Sequence, residues 1–208
     1  MNSTPNTPGE VINTTIHLAS AKADAAPLRT FLLSVMAGAF IALGAQSSSL
    51  AVHSIGNVGL SRTLAGCIFP VGLLMIVFVG GELFTGDCMM AMACMKKTLS
   101  FKRLVITLIT VYFGNFCGGL LISTLAAYSG QFDYSSGALG AYTIKVAAGK
   151  VSLPFSTALI SGILCNILVC VAVLMASAAR DSAGKILAVF FPIWAFVVSG
   201  FEHCVANM

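Results

Sequence analysis

Glu202 and His203 stand side by side behind a long apolar run, in the segment Ser199-Gly200-Phe201-Glu202-His203-Cys204-Val205-Ala206-Asn207-Met208. A carboxylate beside an imidazole is the pairing used for general acid–base chemistry, and an imidazole titrates near neutral pH. A similar interruption, Gly80-Gly81-Glu82-Leu83-Phe84-Thr85-Gly86-Asp87, lies in an earlier apolar run. Two polar breaks of apolar segments, one in each half of the chain, are the pattern of helices interrupted around a permeation site. In that setting an ionisable group marks function. His203 can attract an anion when charged, or hand a proton to a weak-acid anion so that a neutral acid crosses apolar surroundings. The Thr85 hydroxyl can donate to a substrate oxygen or to the imidazole, or it can cap backbone groups freed by the break. Glu82 and Glu202 would repel an anion if they faced a pore. They are read as structural, each following a glycine (Gly81, Gly200) and accepting hydrogen bonds from backbone donors exposed at the break. Half-helices starting after Gly86 and after Glu202 would aim their positive ends at mid-membrane.

The elements that must position these residues are transmembrane helices. Of 208 residues 58% are hydrophobic and 9% charged, against roughly a quarter charged in soluble domains, and the mean hydropathy is +0.96. Apolar stretches long enough to cross a bilayer run from about Leu28 to Leu50, Leu60 to Gly80, Leu104 to Ala127, Phe155 to Ala178 and Leu187 to Gly200, the last one short. Spans of this composition must be helical, because unpaired backbone groups are costly in hydrocarbon. Residues 1–27 form a tail without the pattern of a signal peptide, in which Val11 to Ala25 forms either a weakly amphipathic interfacial helix or part of a disordered terminus. The tail and the even connections carry Lys22, Arg29, Lys96, Lys97, Lys102, Arg103, Arg180 and Lys185, whereas the odd ones carry Arg62, Lys145 and Lys150. The majority set marks the cytoplasm. The N-terminus is therefore expected inside the plasma (inner) membrane, with the loop from about Gly130 to Pro154 outside. The net charge of +4 reflects that topology and carries no nucleic-acid signal. Seven cysteines lie in or beside apolar segments and read as packing residues, with no Cys-x-x-Cys or Cys/His set to imply a metal, a cofactor or a disulfide framework.

Glu82 and Glu202 occupy matching places at the two breaks, which suggests an internal duplication. The first half would hold an unbroken helix, a broken one from Leu60 to about Lys96, and another unbroken one. The second half repeats the order. Three spans per half is odd, so the two copies must be inverted relative to one another. On that logic residues 28–208 form one channel domain whose sixth span is missing from this sequence at the C-terminus.

The runs Gly81-Glu82-Leu83-Phe84-Thr85-Gly86, Val111-Tyr112-Phe113-Gly114-Asn115, Gly162-Ile163-Leu164-Cys165-Asn166-Ile167-Leu168-Val169-Cys170 and Ser199 to Met208 together resemble the formate/nitrite transporter family. The resemblance covers the chain from about residue 11 onward, and departs where family members continue through a sixth helix. It implies an aquaporin-like protomer in a homopentamer, with an anion pore in each protomer and no enzymatic activity. It also implies that His203 is the central pore histidine with Thr85 opposite, and that Lys150 is an electropositive element near a pore lined by Asn166. From spacing alone Lys150 would snorkel to the interface, and Lys145 competes for the same assignment. Phe69 and Phe196 match the outer apolar constriction, Leu73 and Leu83 the inner one. Apolar rings of this kind exclude hydrated ions while passing a small neutral acid. The expected function is transport of a small monovalent weak-acid anion, formate first, with nitrite or hydrosulfide as the alternative. Two other classes stand against it: a haem-binding redox subunit, which needs facing axial histidines that His17, His53 and His203 do not supply, and a non-transporting scaffold.

Overall fold

The computed structural model describes residues 4–208, and every regular element among them is helical. The N-terminal helix α1 (Pro8–Ala23) opens on a capping box in which Thr7 and Glu10 bond reciprocally. It is docked on the short helices of the first break and on the end of α9, so of the two readings of the tail the helical one is observed. The first span is α2 (Pro27–Val52). The second is α3 (Val58–Ile68) and α4 (Val71–Val79), adjoining at Pro70. After the break come α5 (Phe84–Asp87), a 3-10 turn, and α6 (Ala91–Met95). Then follow α7 (Phe101–Tyr128), α8 (Ala138–Val151), α9 (Phe155–Ala178) and α10 (Ser182–Ser199).

Among the described residues five helical segments are long and apolar enough to cross a membrane: 27–52, 58–79, 101–128, 155–178 and 182–199. They match the expected spans, with one boundary changed. The last span begins at Ser182, not Leu187, because Asp181 caps its first turn by accepting from the Gly184 N–H at 2.8 Å. The segment from Gly130 to Pro154, expected as a loop, holds a 3-10 turn and the fourteen-residue α8. Its turn-forming residues are confined to the start, where Ser135, Ser136 and Gly137 take positive φ, and the alanine-rich remainder is free to wind.

The α2–α7 pair forms the most extensive helix contact among the described residues. The Gly114 and Gly118 faces of α7 lie directly against Ser34 and Val35 of α2, where a β-carbon would collide. On the other side α10 packs against α9 and α3, with the Trp194 indole donating to the Thr63 carbonyl at 3.2 Å. Side chains from α2, the α3–α4 span, α9 and α10 and from the two breaks meet in one buried apolar cluster that includes Ile41, Phe69, Leu73, Val169, Val189 and Phe196. Large apolar residues left outside it, such as Leu159, Ile163 and Ile167 on α9, suit a hydrocarbon surround.

Candidate functional site

Each break begins at a glycine whose backbone no side-chain-bearing residue adopts readily. Gly80 ends α4 with φ 102° and Gly200 ends α10 with φ 71°. The first hinge is thus Gly80, and Gly81 instead packs over Ala37. Beyond Gly80 the freed backbone is held by Asn115 of α7, which is 0% exposed. Its Oδ1 accepts from the Phe84 N–H at 2.9 Å, and its Nδ2 donates to the carbonyls of Ser34 at 2.8 Å and Glu82 at 2.9 Å. At the second break the Glu202 N–H donates to Ser161 Oγ at 2.9 Å, and Arg62 Nη1 donates to the Val198 carbonyl at 3.3 Å.

With their backbone donors already engaged, the two glutamates do something other than expected. Neither carboxylate accepts from the broken helix. Glu82 Oε2 takes Lys22 Nζ of α1 at 2.5 Å, and the same ammonium reaches Asp87 Oδ1 at 2.6 Å. Glu202 Oε2 takes Lys150 Nζ of α8 at 2.5 Å and Asn207 Nδ2 at 2.7 Å. Each break glutamate is therefore tied to a lysine on a helix outside the five spans. Lys145, on the same helix as Lys150, is exposed. Burial alone would lower the Lys22 pKa, but the Asp87 and Glu82 carboxylates outweigh it and hold the ammonium above the ordinary lysine range. The expected half-helix positions also differ: the first starts at Phe84, ahead of Gly86, and Glu202 is followed only by turns.

The two breaks meet at Thr85 and His203, each 3% exposed, with Oγ1 and Nε2 3.2 Å apart. The other ring nitrogen, Nδ1, accepts the Ala206 N–H at 3.1 Å. An N–H can be accepted only by an unprotonated nitrogen, so these partners assign the neutral tautomer that carries its hydrogen on Nε2 and donates it to Thr85. On one side the imidazole stacks against Phe196 at 5.8 Å between centroids, and Phe196 meets Phe69 edge-on at 5.4 Å. On the other side Leu83 lies two residues before Thr85, buried in the same cluster as Leu73. The aromatic pair, the polar pair and the leucines thus follow one another from residue to residue.

Three cavities adjoin this line. One of about 310 Å³, on the α1 side, is lined by Lys22, Leu73, Leu83, Asp87 and Lys185. One of about 260 Å³, on the α8 side, is lined by Lys150 and Asn207 among others. The third, about 770 Å³, borders Thr85, Asn166, Glu202 and His203. Asn166 Oδ1 is buried beside it without a hydrogen-bond partner.

A family model described as formate/nitrite transporter matches residues 9–208. The chain belongs to the formate/nitrite transporter family. It is 35% identical over 204 residues to the formate channel FocA of Haemophilus influenzae, covering 97% of this chain and 72% of that protein. It is 41% identical over 189 residues to the uncharacterized transporter YrhG of Bacillus subtilis, covering 88% of this chain and 70% of that one. Among solved structures it is similar to a pentameric formate channel with formate bound, at 33% identity and a TM-score of 0.77, over 86% of this chain and 71% of that chain. An FNT family ion channel superposes with a TM-score of 0.86 at 27% identity, over 95% and 80% of the two chains. Family membership and five apolar helices make this a multi-pass membrane protein.

As a formate/nitrite transporter family member the chain contains three residues whose geometry sequence reading passed over. Asn115 lay in view as a lone amide in an apolar helix, a placement that calls for a reason. Asp87 stands in the break with no sequence neighbour that gives it a role. Lys22 reads from sequence as a topology charge, since nothing local to the tail indicates that it reaches Glu82.

Proposed function

We propose that the protein conducts a small monovalent weak-acid anion, formate foremost, along the line from Phe69 and Phe196 through His203 and Thr85 to Leu73 and Leu83. The observation that carries this reading is the His203–Thr85 pair at 3.2 Å, two polar side chains buried between apolar neighbours. An anion arriving there loses its water and needs hydrogen-bond donors in exchange. In the neutral tautomer the Nε2–H is one donor and the Thr85 hydroxyl hydrogen another. The apolar residues on either side favour passage as the neutral acid, which gives the proton its part in transport. Lys150, held by Glu202, gathers anions on the α8 side, and Asn166 offers its amide beside the histidine.

In this reading the two halves form an inverted three-plus-three repeat. Support comes from Gly80 and Gly200, both at positive φ, and from the matched Lys22–Glu82 and Lys150–Glu202 pairs. In the same reading α1 faces the cytoplasm and α8 the outside, residues 28–208 belong to one channel domain, and five protomers assemble around a common axis. The pentameric formate channel to which the chain is similar supports both the assembly and the substrate.

The test is a substrate panel in proteoliposomes containing an internal pH dye. Formate should acidify or alkalinise the lumen according to its gradient, faster than nitrite or hydrosulfide. Faster movement of nitrite or hydrosulfide transfers the assignment to that ion, and failure of all three removes transport.

A further inference from the structure

The Lys22–Glu82–Asp87 cluster beside the α1-side cavity contains one negative charge too many. Lys22 Nζ serves two carboxylates at once, Glu82 Oε2 at 2.5 Å and Asp87 Oδ1 at 2.6 Å. Asp87 is 2% exposed, and its second oxygen, Oδ2, is buried with no hydrogen-bond partner. The other charged group lining the cavity is Lys185 of α10, which makes no ion pair with either carboxylate among the described residues. The remaining lining residues are uncharged, among them Thr15, Leu18 and Ala19 of α1, and the Cys88 thiol on the next residue donates to the Phe84 carbonyl. Fully ionised, the cluster is two negative charges on one ammonium. A buried carboxylate oxygen with no side-chain or backbone donor against it is an expensive place for the surplus charge. A proton on Asp87 Oδ2 removes both problems, leaving a Lys22–Glu82 ion pair beside a neutral carboxylic acid.

We propose that Asp87 is a proton-binding residue of the α1-side vestibule, and that an anion enters from that side when Oδ2 carries its proton. With the proton bound, Lys22 and Glu82 cancel and the entering anion meets no net negative charge. With the proton lost, Asp87 sets a negative charge two residues from Thr85 that offsets the Lys185 ammonium across the cavity, and the attraction for the anion falls. The proton site stands on charge and burial alone, whereas its effect on entry rests on the transport reading above.

The two parts are tested separately. Asp24, Asp133 and Asp181 are exposed, so Asp87 is the one buried aspartate in the chain. Protein reconstituted in lipid and isotope-labelled at aspartate carboxyl carbons should show one protonated-carboxyl resonance at pH 7 by solid-state NMR, absent from Asp87→Asn. That variant keeps an oxygen for Lys22 and so preserves the docking of α1. Four ionised aspartates at pH 7, or a protonated resonance that survives Asp87→Asn, overturns the proposal. For entry, formate efflux from the α1 side is measured as the pH on that side is raised from 6 to 8. The ratio of Asp87→Asn to wild-type efflux should climb as wild-type Asp87 ionises. A flat ratio overturns the coupling to entry. A protein that shows the Asp87 proton yet moves no formate sinks the transport reading and upholds the proton site.

Discussion

Thr85 Oγ1 and His203 Nε2 lie 3.2 Å apart across 118 residues of sequence. The contact also fixes the ring's chemistry. Because Nδ1 is occupied by the Ala206 N–H, protonating the imidazole would set two N–H groups against one another and break that bond. The ring is thereby built to donate from Nε2 and not to give up a proton. For the transport proposed above, this geometry supports a role for His203 as hydrogen-bond donor over one as proton donor.

His203→Gln therefore serves as the discriminating variant, since its amide can still donate toward Thr85 but cannot titrate. Losing a hydrogen bond to a charged group costs about 1.5–3 kcal/mol, roughly ten- to a hundredfold in rate. Formate flux in proteoliposomes should fall by that amount in His203→Leu and much less in His203→Gln. Equal losses in the two variants would restore the titrating role.

Lys150 and Lys145 make a second comparison. Lys150→Ala strips Glu202 of its ammonium and leaves a mostly buried carboxylate with only Asn207 as its side-chain donor. Lys145 is exposed, so Lys145→Ala should lie within about 0.5 kcal/mol of wild type in stability. Lys150→Ala should lower both thermal stability and flux, and Glu202→Gln in the same chain should recover part of the stability because the stranded charge is gone. A greater flux loss in Lys145→Ala would move the electropositive role to that residue.

What the sequence made legible follows from what is local to it. The five spans are runs of apolar residues, and the breaks are glycines followed by a carboxylate, so both appear in a single reading. The pairing of the breaks through Thr85 and His203 came from the family resemblance. Partners of the glutamates were not readable: a broken helix exposes backbone donors, and only the fold shows that Asn115 and Ser161 reach them first. The α8 helix was obscured by Gly130, Ser135, Ser136 and Gly137, whose turn chemistry ends where the helix begins.

The α1 helix offers a test by pH. Glu10 is held below the usual carboxylate range by hydrogen bonds from Thr7, the backbone N–H first and the hydroxyl second. A depressed folded value means that the capping box contributes above the unfolded pKa and is lost as the pH falls through the folded one. The amide-exchange protection factor of the first turn of α1, the rate corrected for its intrinsic pH dependence, should hold at neutral pH and fall below about 4.5, the reference value. Thr7→Ala should show the reduced protection at every pH. Unchanged protection at neutral pH in that variant would show that the capping box does not hold the first turn of α1.

Asn115 should prove the most sensitive position in the scaffold. It is fully buried and forms three hydrogen bonds that join α7, α2 and the first break. An aspartate of the same size can accept from the Phe84 N–H but presents a lone pair or a charge to the carbonyls of Ser34 and Glu82. A leucine leaves all three backbone groups unpaired. Each unpaired buried group costs about 1–3 kcal/mol, so Asn115→Leu should lose at least about 3 kcal/mol and Asn115→Asp a comparable amount. Thermal unfolding in detergent reads the stability, and cysteine-accessibility labelling at Cys88, which bonds to the Phe84 carbonyl, reads the break itself. Labelling should quicken in both variants before global unfolding begins, because the loop that presents Thr85 to His203 loses its anchor first. Variants that unfold earlier without faster labelling would place the role of Asn115 in the α2–α7 contact and not in the break.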